Sequence, residues 1–130
     1  MAWVGKKYKL ETSENFDEYM KELGVGMVLR KVGNTIHPII FLEQDGDEFT
    51  YYSQSTFKNF ETKFKLGEEK EQETADGRKV LTTYTFDGNT LTQVEKCKKN
   101  SVIVRVFSDT EMVATSTYGD VTSKRVYKAI

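Results

Sequence analysis

From Gln44 onward the chain reverses direction about every ten residues. Asp45-Gly46, Asp76-Gly77 and Asp87-Gly88 are strong hairpin dipeptides, because glycine takes a positive φ without steric cost. Lys99-Asn100, Asp109-Thr110 and Gly119-Asp120 supply further turns. Parallel pairing needs a long crossover, so short segments joined this tightly must pair antiparallel. The spacing predicts strands over residues 4–11, 37–43, 47–54, 58–65, 68–74, 78–86, 89–96, 101–107, 111–118 and 121–129. The expected class is therefore all-β, an antiparallel up-and-down meander. Ten strands can curl into a barrel and remove their own edges. A barrel of that size can enclose a cavity.

Residues 13–33 break the meander. Asn15 followed by Glu18 reads as a helix N-cap with its capping glutamate. Phe16, Met20 and Leu23 recur at helical spacing, with Tyr19 beside them. Gly24 and Gly26 interrupt, MVLRKV gives a second short helix, and Gly33-Asn34 reads as its stop. A helix–turn–helix is expected between strands one and two.

The chain has 130 residues, which suits one domain, 1–130. Its formal net charge is −1, with acids and bases interspersed, which argues against a nucleic-acid partner. No apolar run approaches the roughly 18 residues of a membrane span, and MAWVGKKYKL is not a secretory signal. A single cysteine, Cys97, forms no intrachain disulfide, and there is no N-x-Ser/Thr acceptor. A cytoplasmic location is the expectation. One histidine, His37, leaves no triad spacing and no metal cluster, so neither catalysis nor a metal or cofactor is expected.

Two strands carry charge in unexpected places. Along VTSKRVYKA, residues 121–129, Arg125 and Tyr127 share a face with Val121, Ser123 and Ala129. Lys124 and Lys128 mark the other face as solvated. Along SVIVRVF, plain alternation buries Val102, Val104 and Val106 and exposes Arg105. Residues 111–118 mix Met112, Ala114, Ser116 and Tyr118 on one face, which suits a hydrated cavity better than a dry core. An open sheet with one half-exposed face fits the same alternation.

In order along the chain, GKKYKLETSENFDEYMKELGVG (5–26), Pro38, STFKN (55–59), FKLGEE (64–69), TADGRKV (74–80), Arg105 and Arg125-Val126-Tyr127 resemble the intracellular lipid-binding proteins, the fatty-acid-binding family. The likeness spans nearly the whole chain. It implies a flattened ten-stranded barrel of the calycin, lipocalin-like kind, with a helical cap over a partly hydrated cavity. It implies a non-enzymatic, monomeric carrier of a long-chain fatty acid, with a retinoic-acid carrier as the alternative. Arg105, Arg125 and Tyr127 fill the positions that grip a carboxylate in this family, which requires Arg105 to turn inward against plain alternation. Phe16, Met20, Leu23, Phe57 and Ile103 become cavity and portal residues, and Asp76 comes within reach of cavity water. Arg30, Lys31 and Lys58 would surround the entrance as a basic collar for anionic membranes. Tyr8 stands where many members carry Trp, and Trp3 lies upstream.

Overall fold

The computed structural model describes residues 1–130. Ten antiparallel strands form one sheet: β1 (Tyr8–Glu14), β2 (Ile39–Asp45), β3 (Glu48–Gln54), β4 (Phe60–Lys65), β5 (Lys70–Glu73), β6 (Lys79–Asp87), β7 (Thr90–Lys96), β8 (Ser101–Phe107), β9 (Glu111–Tyr118) and β10 (Val121–Ala129). Two helices, α1 (Phe16–Glu22) and α2 (Met27–Thr35), lie between β1 and β2. The strand order is β4-β3-β2-β1-β10-β9-β8-β7-β6-β5. β1 therefore pairs with β10, and the sheet curls into a barrel with its seam between β4 and β5. Gln72 crosses that seam by donating to the Lys63 carbonyl at 2.8 Å.

Tight turns set the register where the sequence predicts them. Gly46 and Gly88 take φ values of 64° and 61° in the two-residue connections after β2 and β6. Strand boundaries differ most at the N-terminus. β1 starts at Tyr8, not residue 4, because backbone turns from Val4 to the Met1 carbonyl and from Lys6 to the Trp3 carbonyl fold Trp3 beneath the barrel. β5 is also shorter than expected, four residues at Lys70–Glu73.

The helical pair departs from expectation at both ends. Asn15 precedes α1 with φ 59°, but its side chain makes no capping bond. Its amide instead donates to the Thr122 carbonyl at 3.0 Å and ties the helix entrance to β10. Gly33 does not stop α2, which continues to Thr35. A Cβ on Gly33 would stand 3.0 Å from the Met20 sulfur. The glycine is there because α1 and α2 approach each other closely, not because the helix ends.

The two ends of the barrel are built differently. At the end carrying the β2–β3, β6–β7 and β8–β9 turns, Trp3 packs against Phe49 and Phe86 at centroid distances of 6.1 and 6.0 Å. Phe49 stacks on Phe64 at 5.4 Å, and Phe64 on Tyr84 at 3.8 Å. Tyr8, Leu91, Phe107 and Met112 complete this buried cluster. At the other end a smaller cluster, Tyr19, Met20, Val25 and Tyr118, holds α1 to the barrel. No residue of α2 is buried.

Candidate functional site

A cavity of about 290 Å³ lies between these ends. Its wall mixes apolar residues from α1, α2 and β8 with polar groups from β3, β6, β7, β9 and β10. Both late-strand arginines line it. Arg105 and Arg125 are 9% and 8% exposed. On β8 the alternation runs opposite to the simple apolar rule: Ser101, Arg105 and Phe107 are buried, whereas Val106 is exposed and Val102 and Val104 are half-buried. A valine row thus faces outward, and Arg105 inward.

The register explains how the arginines come together. Arg105 pairs with Ala114 across β8 and β9, and Arg125 pairs with the same Ala114 across β9 and β10. Their backbones are therefore about 10 Å apart, two strand spacings. The small Ala114 between them leaves room for both guanidinium groups. Two residues along β10, Tyr127 is also buried and lines the cavity.

Aromatic rings hold the cations in place. The Arg125 guanidinium carbon is 3.8 Å from the Phe16 ring centroid and 5.8 Å from that of Tyr127. Arg105 lies over Tyr51 at 4.5 Å. Stacking leaves the donors in the guanidinium planes free. Arg125 Nε and Nη2 are buried and bond to no protein atom, and neither does Arg105 Nε. Arg105 Nη1 donates to Gln93 Oε1 at 2.7 Å. Burial pushes the Tyr127 phenol up, against the opposing pull of the Arg125 charge, so it stays protonated as a donor.

Phe16, Met20, Leu23, Phe57, Ile103 and Asp76 all line the same cavity. Phe57 lines it while remaining 55% exposed. Asp76 is held by Arg78 Nε at 2.6 Å and by the Thr74 hydroxyl at 2.6 Å. Burial opposes its charge, but these hydrogen bonds outweigh it and hold the carboxyl below its usual range. The basic collar is thinner than expected. Lys31 and Lys58 are exposed, but Arg30 is tied down to Asp17 Oδ1 at 3.2 Å and to the Val25 carbonyl at 2.8 Å. Its charge braces α1 against α2.

Several polar lining residues were not singled out from the sequence: Arg78, Gln93, Glu95, Gln72 and Tyr84. Gln93 bridges Arg105 to Glu95, whose Oε2 accepts from Gln93 Nε2 at 3.2 Å. Tyr84 donates to Gln72 Oε1 at 2.9 Å and so braces the seam. The available signal for Glu95 is weaker than the one that flags Arg125: a single lysine, Lys96, marks the opposite face of its strand.

The sequence profile of the Lipocalin / cytosolic fatty-acid binding protein family matches residues 4–130. The fatty acid-binding protein of Tyrophagus putrescentiae is 47% identical over 129 residues, covering 98% of each chain. The crystal structure of the fatty acid-binding protein from Drosophila melanogaster brain tissue superposes with a TM-score of 0.92 at 54% identity, covering 97% of this chain and 98% of that one. The Schistosoma mansoni fatty acid binding protein in complex with arachidonic acid gives 0.91 at 42% identity, with 95% and 93% covered. Ten antiparallel strands, the paired helices between the first two and a match over nearly the full length agree: this chain belongs to the lipocalin / cytosolic fatty-acid binding protein family.

Proposed function

We propose that the protein is a non-enzymatic carrier that holds one long-chain fatty acid in the barrel cavity, with its carboxylate between Arg125, Arg105 and Tyr127. The observation that carries this reading is the pair of buried Arg125 nitrogens that no protein atom satisfies. A buried guanidinium with free in-plane donors is costly unless an anion meets it, and a carboxylate matches its fork. The fatty-acid ligands named for the relatives support the same class.

Magnitudes divide the work. Each buried methylene is worth about 0.8 kcal/mol, so a long alkyl tail supplies on the order of 10 kcal/mol gross. A charge-assisted hydrogen bond nets about 1.5–3 kcal/mol. The tail drives affinity, and the arginines choose and orient the headgroup. A cavity of about 290 Å³ sits at the small end of ligand sites, which suits one chain rather than two.

Entry is through the helical end. Met27 and Val28 on α2 are 76% and 78% exposed, and Phe57, which lines the cavity with Leu29 and Val32 of α2, is exposed as well. With Lys31 and Lys58 they give an apolar, weakly basic rim suited to transient contact with an anionic membrane.

The test is organic extraction of the purified protein and mass spectrometry, followed by displacement of a fluorescent fatty-acid probe with oleate and with retinoic acid. A near-stoichiometric fatty acid and stronger displacement by oleate support the reading. Stronger displacement by retinoic acid, which ends in the same carboxylate, would make the protein a retinoid carrier. No displacement by either would overturn the carrier reading.

A further inference from the structure

β7 sends Leu91, Gln93 and Glu95 inward, and Glu95 is the only buried carboxylate in the chain. Its side chain is 5% exposed and lines the cavity. One oxygen, Oε2, accepts from Gln93. The other, Oε1, lies 3.7 Å from Arg78 Nη2, within ion-pair range but beyond a hydrogen bond. Arg78 spends Nε and Nη2 on Asp76 at 2.6 and 3.3 Å, and its Nη1 faces the Cys97 sulfur at 3.7 Å. Of the nearby hydroxyls, Thr82 donates to the Val80 carbonyl, whereas Ser101, paired with Glu95 across β7 and β8, shares a 2.5 Å hydrogen bond with the Tyr19 hydroxyl and also stabilises the Glu95 carboxylate by hydrogen bonding.

Ionised, Glu95 is an acceptor-only group set in a cavity wall, and Oε1 lies beyond hydrogen-bond range of Arg78. A carboxylate offers about four acceptor sites, and in a low-dielectric cavity each unfilled one matters. Burial pushes this carboxyl above its usual range, while Arg78 and Arg105 pull it back toward the charged form. The position along a bound lipid follows from the register. Gln93 contacts Arg105 on one side and Glu95 on the other, and residues two apart on a strand are about 7 Å apart. Glu95 therefore lies one step beyond the headgroup cations, beside the early-to-middle part of an alkyl chain and far from its methyl end.

We propose that Glu95 forms a second polar subsite, which accepts a hydrogen bond from a hydroxyl borne part-way along the chain, so that the cavity favours hydroxylated long-chain fatty acids over unsubstituted ones. The inference rests on the headgroup reading above for the direction in which the lipid lies. A hydroxyl buried in a purely apolar tail site loses its water without replacement. Here the lost water is replaced by a charged acceptor.

The experiment titrates wild type, Glu95→Met and Glu95→Gln with stearate, a mid-chain hydroxystearate and a hydroxystearate substituted at the methyl end. The methyl esters of stearate and of the mid-chain hydroxystearate form a second series. In wild type the mid-chain hydroxyl should tighten binding about tenfold relative to stearate, and the terminal hydroxyl should not. Glu95→Met should reverse the preference, and Glu95→Gln, which keeps a neutral acceptor, should fall between. Circular dichroism and a cooperative urea transition show that each variant is folded, the near-isosteric Gln variant serves if the Met variant is not, and the preference is read as the ratio of hydroxystearate to stearate affinity within each protein. The ester pair should keep the hydroxyl preference. If the acid–ester difference vanishes while that preference persists in wild type and is lost in Glu95→Met, the headgroup reading fails and the Glu95 subsite stands. The same hydroxyl ratio in wild type and a folded variant, or no preference in wild type, overturns the subsite.

Discussion

The closed end of the barrel and its helical end solve opposite problems with the same ten strands. At the closed end, Trp3, Phe49, Phe64, Phe86 and Phe107 fill the interior with rings, and little polar surface remains. At the helical end α2 buries no residue and presents Met27 and Val28 to solvent. Between them the wall turns polar around Arg105 and Arg125. Apolar packing is concentrated at the closed end, and exposed apolar side chains at the end where we propose that the ligand enters. A barrel that opened at both ends would lack a core, and one packed at both ends would lack a cavity.

Substitution should expose this asymmetry most strongly at the closed end. Phe107→Ala removes a ring that is 2% exposed and should cost about 3–5 kcal/mol. Met27→Ser, at an exposed site on α2, should stay within about 0.5 kcal/mol. Urea denaturation of the two variants checks this, and equal losses would break the comparison.

Amide exchange should follow the same division. Residues 24–34 and the turn around Phe57 should exchange faster than β8 and β10, with added fatty acid narrowing the gap. Uniform protection in the free protein would remove the idea of a mobile entrance.

A smaller effect sits where α1 meets the barrel at the helical end. Tyr19 on α1 shares a 2.5 Å hydrogen bond with Ser101 on β8. Tyr19→Phe should cost about 1 kcal/mol. Burial, with Glu95 adding to it and the Ser101 bond opposing it, pushes the Tyr19 phenol up to about 12. The folded protein then keeps a proton that the unfolded chain releases from about pH 10. This part of the stability is full below pH 10 and is lost as pH rises toward 12. Denaturation midpoints measured across that window should fall less steeply in Tyr19→Phe than in wild type.

The legibility of the sequence divides along similar lines. Strand number and turn positions were readable because Asp-Gly turns impose them locally. The helical stripe of Phe16, Met20 and Leu23 was readable for the same reason. Arg125 stood out because Lys124 and Lys128 mark the solvent face of β10. Arg105 did not stand out, since three valines alternate with it and apolar alternation points the wrong way; only resemblance turned it inward. The same ambiguity hid Gln93 and Glu95. A hydrated interior takes polar side chains, so period-two hydrophobicity does not identify the inner face. Gly33 reads locally as a stop but serves a close helix crossing, and Asn15 stands at the N-cap position of α1 as local rules expect, with its side chain spent on a tether to β10 instead of a capping bond.

The central claim, that the middle of the barrel is a carboxylate site, is tested most directly at Arg125. Calorimetric titration of wild type and Arg125→Gln with a fatty acid and the matching fatty alcohol separates charge from tail. The account predicts that the acid weakens by about 1.5–3 kcal/mol, roughly 10- to 150-fold, while the alcohol changes much less or tightens. The free variant should be no less stable than wild type, because a buried charge whose Nε and Nη2 have no hydrogen-bond partner in the protein has gone. Equal weakening of acid and alcohol would contradict the account and make Arg125 a structural residue.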